Sequence, residues 1–258
     1  MKVLLIGNRG SFFELCREAL EKSYVVDSFC IDKNRAFNLP LKLDEFKSTT
    51  NFESYSAIIY ISGETRDEDY MHLLNFRFPS ELADISSRHE ITLIYLSSLA
   101  VFAGGFEDVV TSESQLMPID NYGHTKALMD QYVLKLKRES SKVKIKILFP
   151  ASFYHGSGRS LIERYEQFSN RHHLFFKLFG FSGCLSYVDR EKLIDFISKS
   201  IVSDDYGSRI LSSHFELDQQ HAKFILPMLP IWFFKLINKV SPMLSIKLRM
   251  VLRGIRYG

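Results

Sequence analysis

The sequence predicts an α/β chain built on a doubly wound parallel sheet with a small C-terminal lobe, and three observations carry that prediction. Short apolar runs at 3–6, 25–31, 57–61, 91–96 and 143–148 alternate with helical stretches. Runs of this length without polar alternation suit strands buried on both faces, and their spacing suits right-handed βαβ units. The first run passes through Gly7-Asn8-Arg9-Gly10 directly into a helix. Finally, 258 residues with 46% apolar content can bury the core of one sizeable domain carrying a small partner.

The opening run, 3–6, is too short for the apolar core of a signal peptide and reads as the first strand. Gly7 and Gly10 suit a turn at which backbone can approach a pyrophosphate, with Asn8 and Arg9 between them and a helix N-terminus facing the charge. An ordinary tight β-α turn remains open at this point. The helix covers 11–22, with Phe12, Leu15, Cys16 and Leu20 on one face. The second run ends in Asp32, 25 residues after Gly7, near the distance at which an acid reaches adenosine ribose hydroxyls. Arg9, Lys33 and Arg35 would instead suit a 2′-phosphate, so NAD and NADP both stay open.

Residues 36–55 are mixed and polar, with a short helix expected from Asp44. The run 57–61 ends in Ile61-Ser62-Gly63, small groups at a strand tip where a cofactor could lie close. A helix over 70–87 carries Asn75 and leads to the run 91–96. Ser97-Ser98 then stands at the carboxyl end of a central strand, where ligands bind in open α/β sheets.

A loop at 102–120 leads to Asn121-Tyr122-Gly123-His124-Thr125-Lys126. Tyr122 and Lys126 share a helix face, so an ammonium there could ease ionisation of the phenol, a pairing suited to acid-base chemistry on a carbonyl. The last run closes with Phe149-Pro150.

In order and spacing, the glycine loop, Ser97-Ser98 and Tyr122-x-x-x-Lys126 resemble the short-chain dehydrogenase/reductase superfamily. Ser97-Ser98-Leu99-Ala100-Val101-Phe102 resembles the Ser-Ser-x-x-Val-Tyr-Gly block of its extended branch, the NAD-dependent epimerase/dehydratase family of nucleotide-sugar enzymes. The likeness covers about residues 1–195 and implies a Rossmann-type fold with NAD or NADP as cofactor and a nucleotide-sugar as substrate. It implies catalysis by Ser98, Tyr122 and Lys126. Its cofactor set is Gly7, Asn8, Arg9, Gly10, Asp32, Arg35, Ile61, Ser62, Gly63, Asn75, Tyr122, Lys126 and Pro150.

The loop Gly7-Asn8-Arg9-Gly10 is similar to that of GDP-fucose synthases. The stretch 102–123 is similar to that of dTDP-4-dehydrorhamnose reductases, so 4-keto-sugar reduction and epimerisation are the implied activities. Departures from the pattern are Phe13 at the third glycine, Phe149 before Pro150, and Leu99-Ala100 where sugar-nucleotide dehydratases carry Asp-Glu. Phe13 implies a first helix standing further out and a looser hold on the dinucleotide, and Leu99-Ala100 disfavours dehydration. A dinucleotide-binding regulator without catalysis is the rival reading.

The expected division is a dinucleotide-binding domain over 1–150 with part of 185–215, and a substrate lobe with a basic tail over 151–184 and 216–258. Residues 221–258 hold seven Lys/Arg and no Asp/Glu, which leaves +3 − 7 = −4 for 1–220. Ser241-Pro242 should open a last helix with Leu244, Leu248, Val251, Leu252 and Ile255 on one side and Arg249, Arg253 and Arg256 on the other.

Such a tail could cover the substrate lobe, or make peripheral contact through 224–258 with an anionic membrane surface. A homodimer is also open. The cysteines Cys16, Cys30 and Cys184 have no ligand spacing, so no metal is expected and the thiols should be reduced and buried in a cytoplasmic protein. Nucleic acid has no motif in its favour.

Overall fold

Strand β1 (Lys2–Asn8) carries five consecutive buried residues at its centre, as a strand covered on both faces must. The computed structural model describes residues 1–31, 39–140, 142–154, 167, 171, 179–180, 184–216, 224–225, 229–252 and 255–257. Parallel to β1 run β2 (Val25–Ile31) on one side and β3 (Ala57–Tyr60) on the other. Next come β4 (Thr92–Leu96), β6 (Ile145–Pro150) and β10 (Ser208–Leu211), giving a six-stranded sheet in the order β10-β6-β4-β3-β1-β2.

The chain builds β2 on one side of β1 and then crosses to β3 on the other. The strand order therefore reverses between β1 and β3, and the crevice beyond their carboxyl ends is where such sheets hold ligands. Between β2 and β3 the described residues form α2 (Leu39–Thr49) and a short 3-10 turn (Phe52–Ser54), so the helix begins ahead of the expected Asp44.

Helix α1 (Ser11–Glu21) buries Phe13, Cys16 and Leu20, and leaves Leu15 42% exposed. Phe13, and not the expected Leu15, thus belongs to its inner face. A Cβ on Gly7 would lie 2.7 Å from both Phe13 Cδ2 and Ile61 Cγ1, so the Phe13 ring uses the space that glycine leaves. Gly7→Ala should cost about 1–3 kcal/mol of stability by overpacking, measurable as a lower urea midpoint at unchanged slope.

The single helix expected over 70–87 is a composite of α3 (Glu68–His72), a π-helical turn (Leu73–Arg77) and α4 (Phe78–His89). A π turn disturbs the regular i to i+4 ladder, and two strand tyrosines use its carbonyls. Tyr60 Oη donates to Leu74 O at 2.6 Å and Tyr95 Oη to Asn75 O at 3.4 Å.

Two compact units divide the chain. The first holds Met1–Ser98, Asp120–Leu148 and Ile194–Arg209; the second holds Leu99–Ile119, Phe149–Leu193 and Ile210–Gly258. Residues 99–119 therefore group with the second unit, outside the expected 1–150 domain. The reason is a strand pairing: β5 (Val109–Val110) runs parallel with β13 (Arg256–Tyr257).

Also in the second unit, β7 (Ser152–Tyr154), β9 (Cys184–Asp189) and β11 (Ser213–Glu216) form a three-stranded sheet in the order β11-β9-β7. β8 (Phe179–Gly180) pairs with β12 (Phe224–Ile225). The helix α6 (Arg190–Val202) follows β9 directly.

The tail forms a helical hairpin, α7 (Ile231–Asn238) and α8 (Pro242–Leu252). Ser241 and Pro242 open α8 as expected, with Ser241 Oγ accepting from Leu244 N–H at 3.3 Å. Its expected polarity is reversed at two positions: Arg249 is buried and Leu244 is 49% exposed. The Arg249 guanidinium lies 5.2 Å from the Phe106 ring centroid and donates to Gly105 O, which compensates a cation for leaving water. Arg253 lies outside the described residues.

All three cysteines are free thiols; Cys16 and Cys184 are buried and Cys30 only half-buried. Burial pushes Cys16 up to about 12, which leaves it chemically inert.

Candidate active site

Helix α5 (Asn121–Glu139) is capped by Asp120, whose Oδ1 accepts the Gly123 N–H at 2.7 Å. This cap places Tyr122 in the first turn and Lys126 one turn further on the same face. Ser98 follows β4, and its side chain stands near enough to the Tyr122 phenol to pull its pKa down. The structure thus brings Ser98 and Tyr122 together and carries Lys126 one turn further along the same helix, all within the first unit.

Their electrostatics differ from expectation. Burial raises Tyr122 above the ordinary phenol value, the Ser98 side chain pulls it down, and Asp120 and Asp130 push it up again. The Lys126 ammonium is engaged by backbone carbonyls. Lys126 Nζ donates to Leu96 O at 2.8 Å and Ser62 O at 3.3 Å, and stands 4.7 Å from the Tyr95 ring centroid. It joins α5 to the carboxyl ends of β3 and β4.

Asp130, one turn beyond Lys126, was not singled out by the motif. Its Oδ2 accepts from Ser97 Oγ at 2.7 Å, while Oδ1 is buried with no hydrogen-bond partner. Burial pushes Asp130 up to about 7 and Lys126 down to about 7, and each charge partly offsets the shift of the other. The available signals were the four-residue spacing from Lys126 and the serine preceding Ser98.

At the reversal between β1 and β3, Asn8 ties the two strand ends together. Its Nδ2 donates to Gly63 O at 2.5 Å and its Oδ1 accepts from Ser62 Oγ at 2.6 Å. Asn75, expected at the cofactor, is wholly buried and acts as a brace. It accepts from Glu64 N–H at 2.9 Å and gives its two amide protons to Glu64 O and Thr125 Oγ1, at 2.8 and 3.0 Å. Its donors are thus spent on the loop after β3 and on α5.

Gly10 is exposed at the start of α1, with open space where a Cβ would stand and no side-chain cap on the helix. Beside it, a cavity of about 540 Å³ is lined by Arg9, Phe29, Ile31, Lys42, Phe46 and Thr49. A larger one, about 740 Å³, touches α2 and α4 and contains none of the expected site residues. Asp32 and Arg35 lie outside the described residues, and Pro150 ends β6 in the second unit. Among the described residues no group of His, Cys, Asp and Glu is placed to hold a metal ion.

Residues 1–173 match the family model described as RmlD substrate binding domain. Among solved structures, the dTDP-4-dehydrorhamnose reductase of Clostridium acetobutylicum is similar at 16% identity and a TM-score of 0.61, over 98% of this chain and 82% of that one. The dTDP-4-dehydrorhamnose reductase of Bacillus anthracis, solved in complex with NADP, is similar at 17% identity and 0.61, over 99% and 83%. The ADP-L-glycero-D-manno-heptose-6-epimerase of Helicobacter pylori gives 15% identity and 0.62, over 83% and 78%. At these identities the structural likeness speaks for the fold.

Proposed function

This chain belongs to the RmlD substrate binding domain family, and on that premise we propose that it is an NAD(P)-dependent enzyme of nucleotide-sugar metabolism, acting in deoxysugar or surface-polysaccharide biosynthesis. Reduction of a 4-keto sugar is the favoured reaction. The observation that carries this reading is the proximity of Ser98 to Tyr122, whose phenol burial holds in its protonated form. A ketone becoming an alcohol needs a proton at its oxygen, and a protonated tyrosine is the general acid for that step.

The first unit fits a dinucleotide. The N-terminus of α1 has no side-chain cap and faces the turn at Gly7, Asn8 and Gly10, where a pyrophosphate would lie. Arg9 and Lys42 bring cations, and Glu45 a carboxylate, to a cavity that also presents Phe29 and Phe46 and has the size of a small-ligand site. Asp32 and Arg35 would add the ribose or 2′-phosphate contact. Ile61, Ser62 and Gly63 would border the cofactor, and Lys126 would meet its nicotinamide ribose. When bound, the nicotinamide supplies or accepts the hydride.

In the reductive direction Ser98 donates a hydrogen bond to the ketone oxygen, and Tyr122 delivers its proton to the same atom. Asn75 and Asn8 hold the loop after β3 in place and do not touch the reacting atoms. Leu99 and Ala100 offer no carboxylate pair for dehydration.

The test is to mix the protein with NADH or NADPH and a panel of nucleotide 4-keto sugars, following cofactor absorbance and product stereochemistry. One cofactor consumed per product supports reduction. Inversion without net consumption would establish epimerisation instead. Cofactor binding with no turnover on any sugar would overturn the enzymatic reading in favour of a dinucleotide-binding regulator.

A further inference from the structure

The α7–α8 hairpin buries two polar side chains along with Phe234 and exposes a row of large apolar ones. Arg249 and Ser245 are buried in it, Arg249 against Phe106 and Gly105, and Ser245 donating to Phe234 O at 2.8 Å. Facing outward are Trp232, Leu236, Val240, Met243 and Leu244, from 42% exposed at Met243 to 88% at Val240. Lys239 and Lys247 are exposed among them, while Lys235 Nζ lies 5.8 Å from the Phe106 ring centroid. A soluble hairpin built for its own packing would place these two sets the other way round.

We propose that this hairpin is a docking surface for an anionic lipid bilayer, with Trp232, Leu236, Val240, Met243 and Leu244 entering the headgroup layer and Lys239 and Lys247 meeting lipid phosphates. The charge is complementary, since residues 221–258 contain seven Lys/Arg and no Asp/Glu. An apolar strip with an aromatic anchor and flanking lysines is the composition that rests at a headgroup boundary.

Spanning is excluded for these helices: their 8 and 11 residues reach roughly 12 and 17 Å, against a hydrocarbon core of about 30 Å. No helix among the described residues is long and apolar enough to cross a membrane. A second copy of the chain is a poorer occupant, because a two-fold pairing of this face would set lysines against lysines with no carboxylate in the segment to separate them.

Trp232 is the one tryptophan of the chain, so its fluorescence reports on this surface alone. With vesicles of phosphatidylcholine containing phosphatidylglycerol, its emission should shift to the blue and the full chain should float with the lipid. Pure phosphatidylcholine vesicles should bind at least ~10-fold more weakly, and added salt should release the protein.

Lys239→Glu with Lys247→Glu should weaken partition by ~10-fold or more, at unchanged circular dichroism. Val240→Ser with Leu244→Ser, also at exposed positions, should do the same and guards against a misfolded first variant. Neither a shift nor flotation with anionic vesicles, or equal binding to neutral ones, would overturn the proposal. So would a blue shift that grows with protein concentration in the absence of lipid, which marks self-association, or one produced by polyglutamate and not by vesicles, which marks an acidic polypeptide partner. These readouts are independent of the sugar reaction.

Discussion

Tyr122→Phe should lower turnover of the responsive nucleotide sugar by ~10²- to 10⁴-fold, the range for losing a general acid-base group. The substitution removes one oxygen and leaves the half-buried ring in place, so the fold and the Asp120 cap of α5 should survive. Dinucleotide affinity should stay within a few-fold, because the α1 N-terminus and the Arg9–Lys42 cavity are untouched. That separation is the point of the experiment. A variant that binds cofactor and reacts at the wild-type rate removes Tyr122 from the chemistry, whereas loss of both binding and rate indicates structural damage.

Asp130→Asn carries the second large effect. Burial lowers Lys126 to about 7 and the Asp130 charge works against that lowering, so removing the charge should take the lysine lower still. Lys126 then loses its proton at a lower pH, and the alkaline decline of kcat/KM should move in the same direction. At neutral pH a loss of ~10-fold is expected, recovering as the buffer is made more acidic. A pH-independent loss would mean that Asp130 only supports the fold.

A stability readout tests the same group without substrate. Asp130 has a folded-state value of about 7 against 3.8 for the ordinary carboxyl. Between those values the native form keeps a proton that the unfolded chain releases. Its contribution is therefore complete below the lower value and is lost as pH rises through about 7. Compared with wild type, Asp130→Asn should show a flatter fall in urea midpoint from about pH 4 to pH 7. Identical slopes would show that Asp130 is already ionised in the native protein.

The sheet was legible because its evidence is local. Buried runs such as 3–6 and 91–96 have no competing explanation once turns bound them, and the alternation of runs and helices fixes their parallel sense. Ser98, Tyr122 and Lys126 were legible for a similar reason, since each sits at a fixed offset from an element end.

Asp130 was hidden because its role depends on Ser97, a neighbour only in space. Arg249 was misplaced because helical periodicity counts a cation as outward, and only the folded chain reveals the Phe106 ring and Gly105 carbonyl that receive it. The regrouping of 99–119 rests on β5 meeting β13, a pairing of two-residue strands too short to leave a pattern.

The π-helical turn at Leu73–Arg77 imposes a length constraint on the chain around it. An α-helix advances about 100° per residue, so deleting one residue there to restore regular geometry would rotate everything on one side of the cut by that angle. Asn75 could then no longer meet Glu64 and Thr125 together while Tyr60 and Tyr95 kept their carbonyl partners. Single-residue deletions across 73–77 should therefore be far less tolerated than side-chain substitutions at the exposed Arg77, which makes chain register itself part of the apparatus that holds Tyr122 and Ser98 in place.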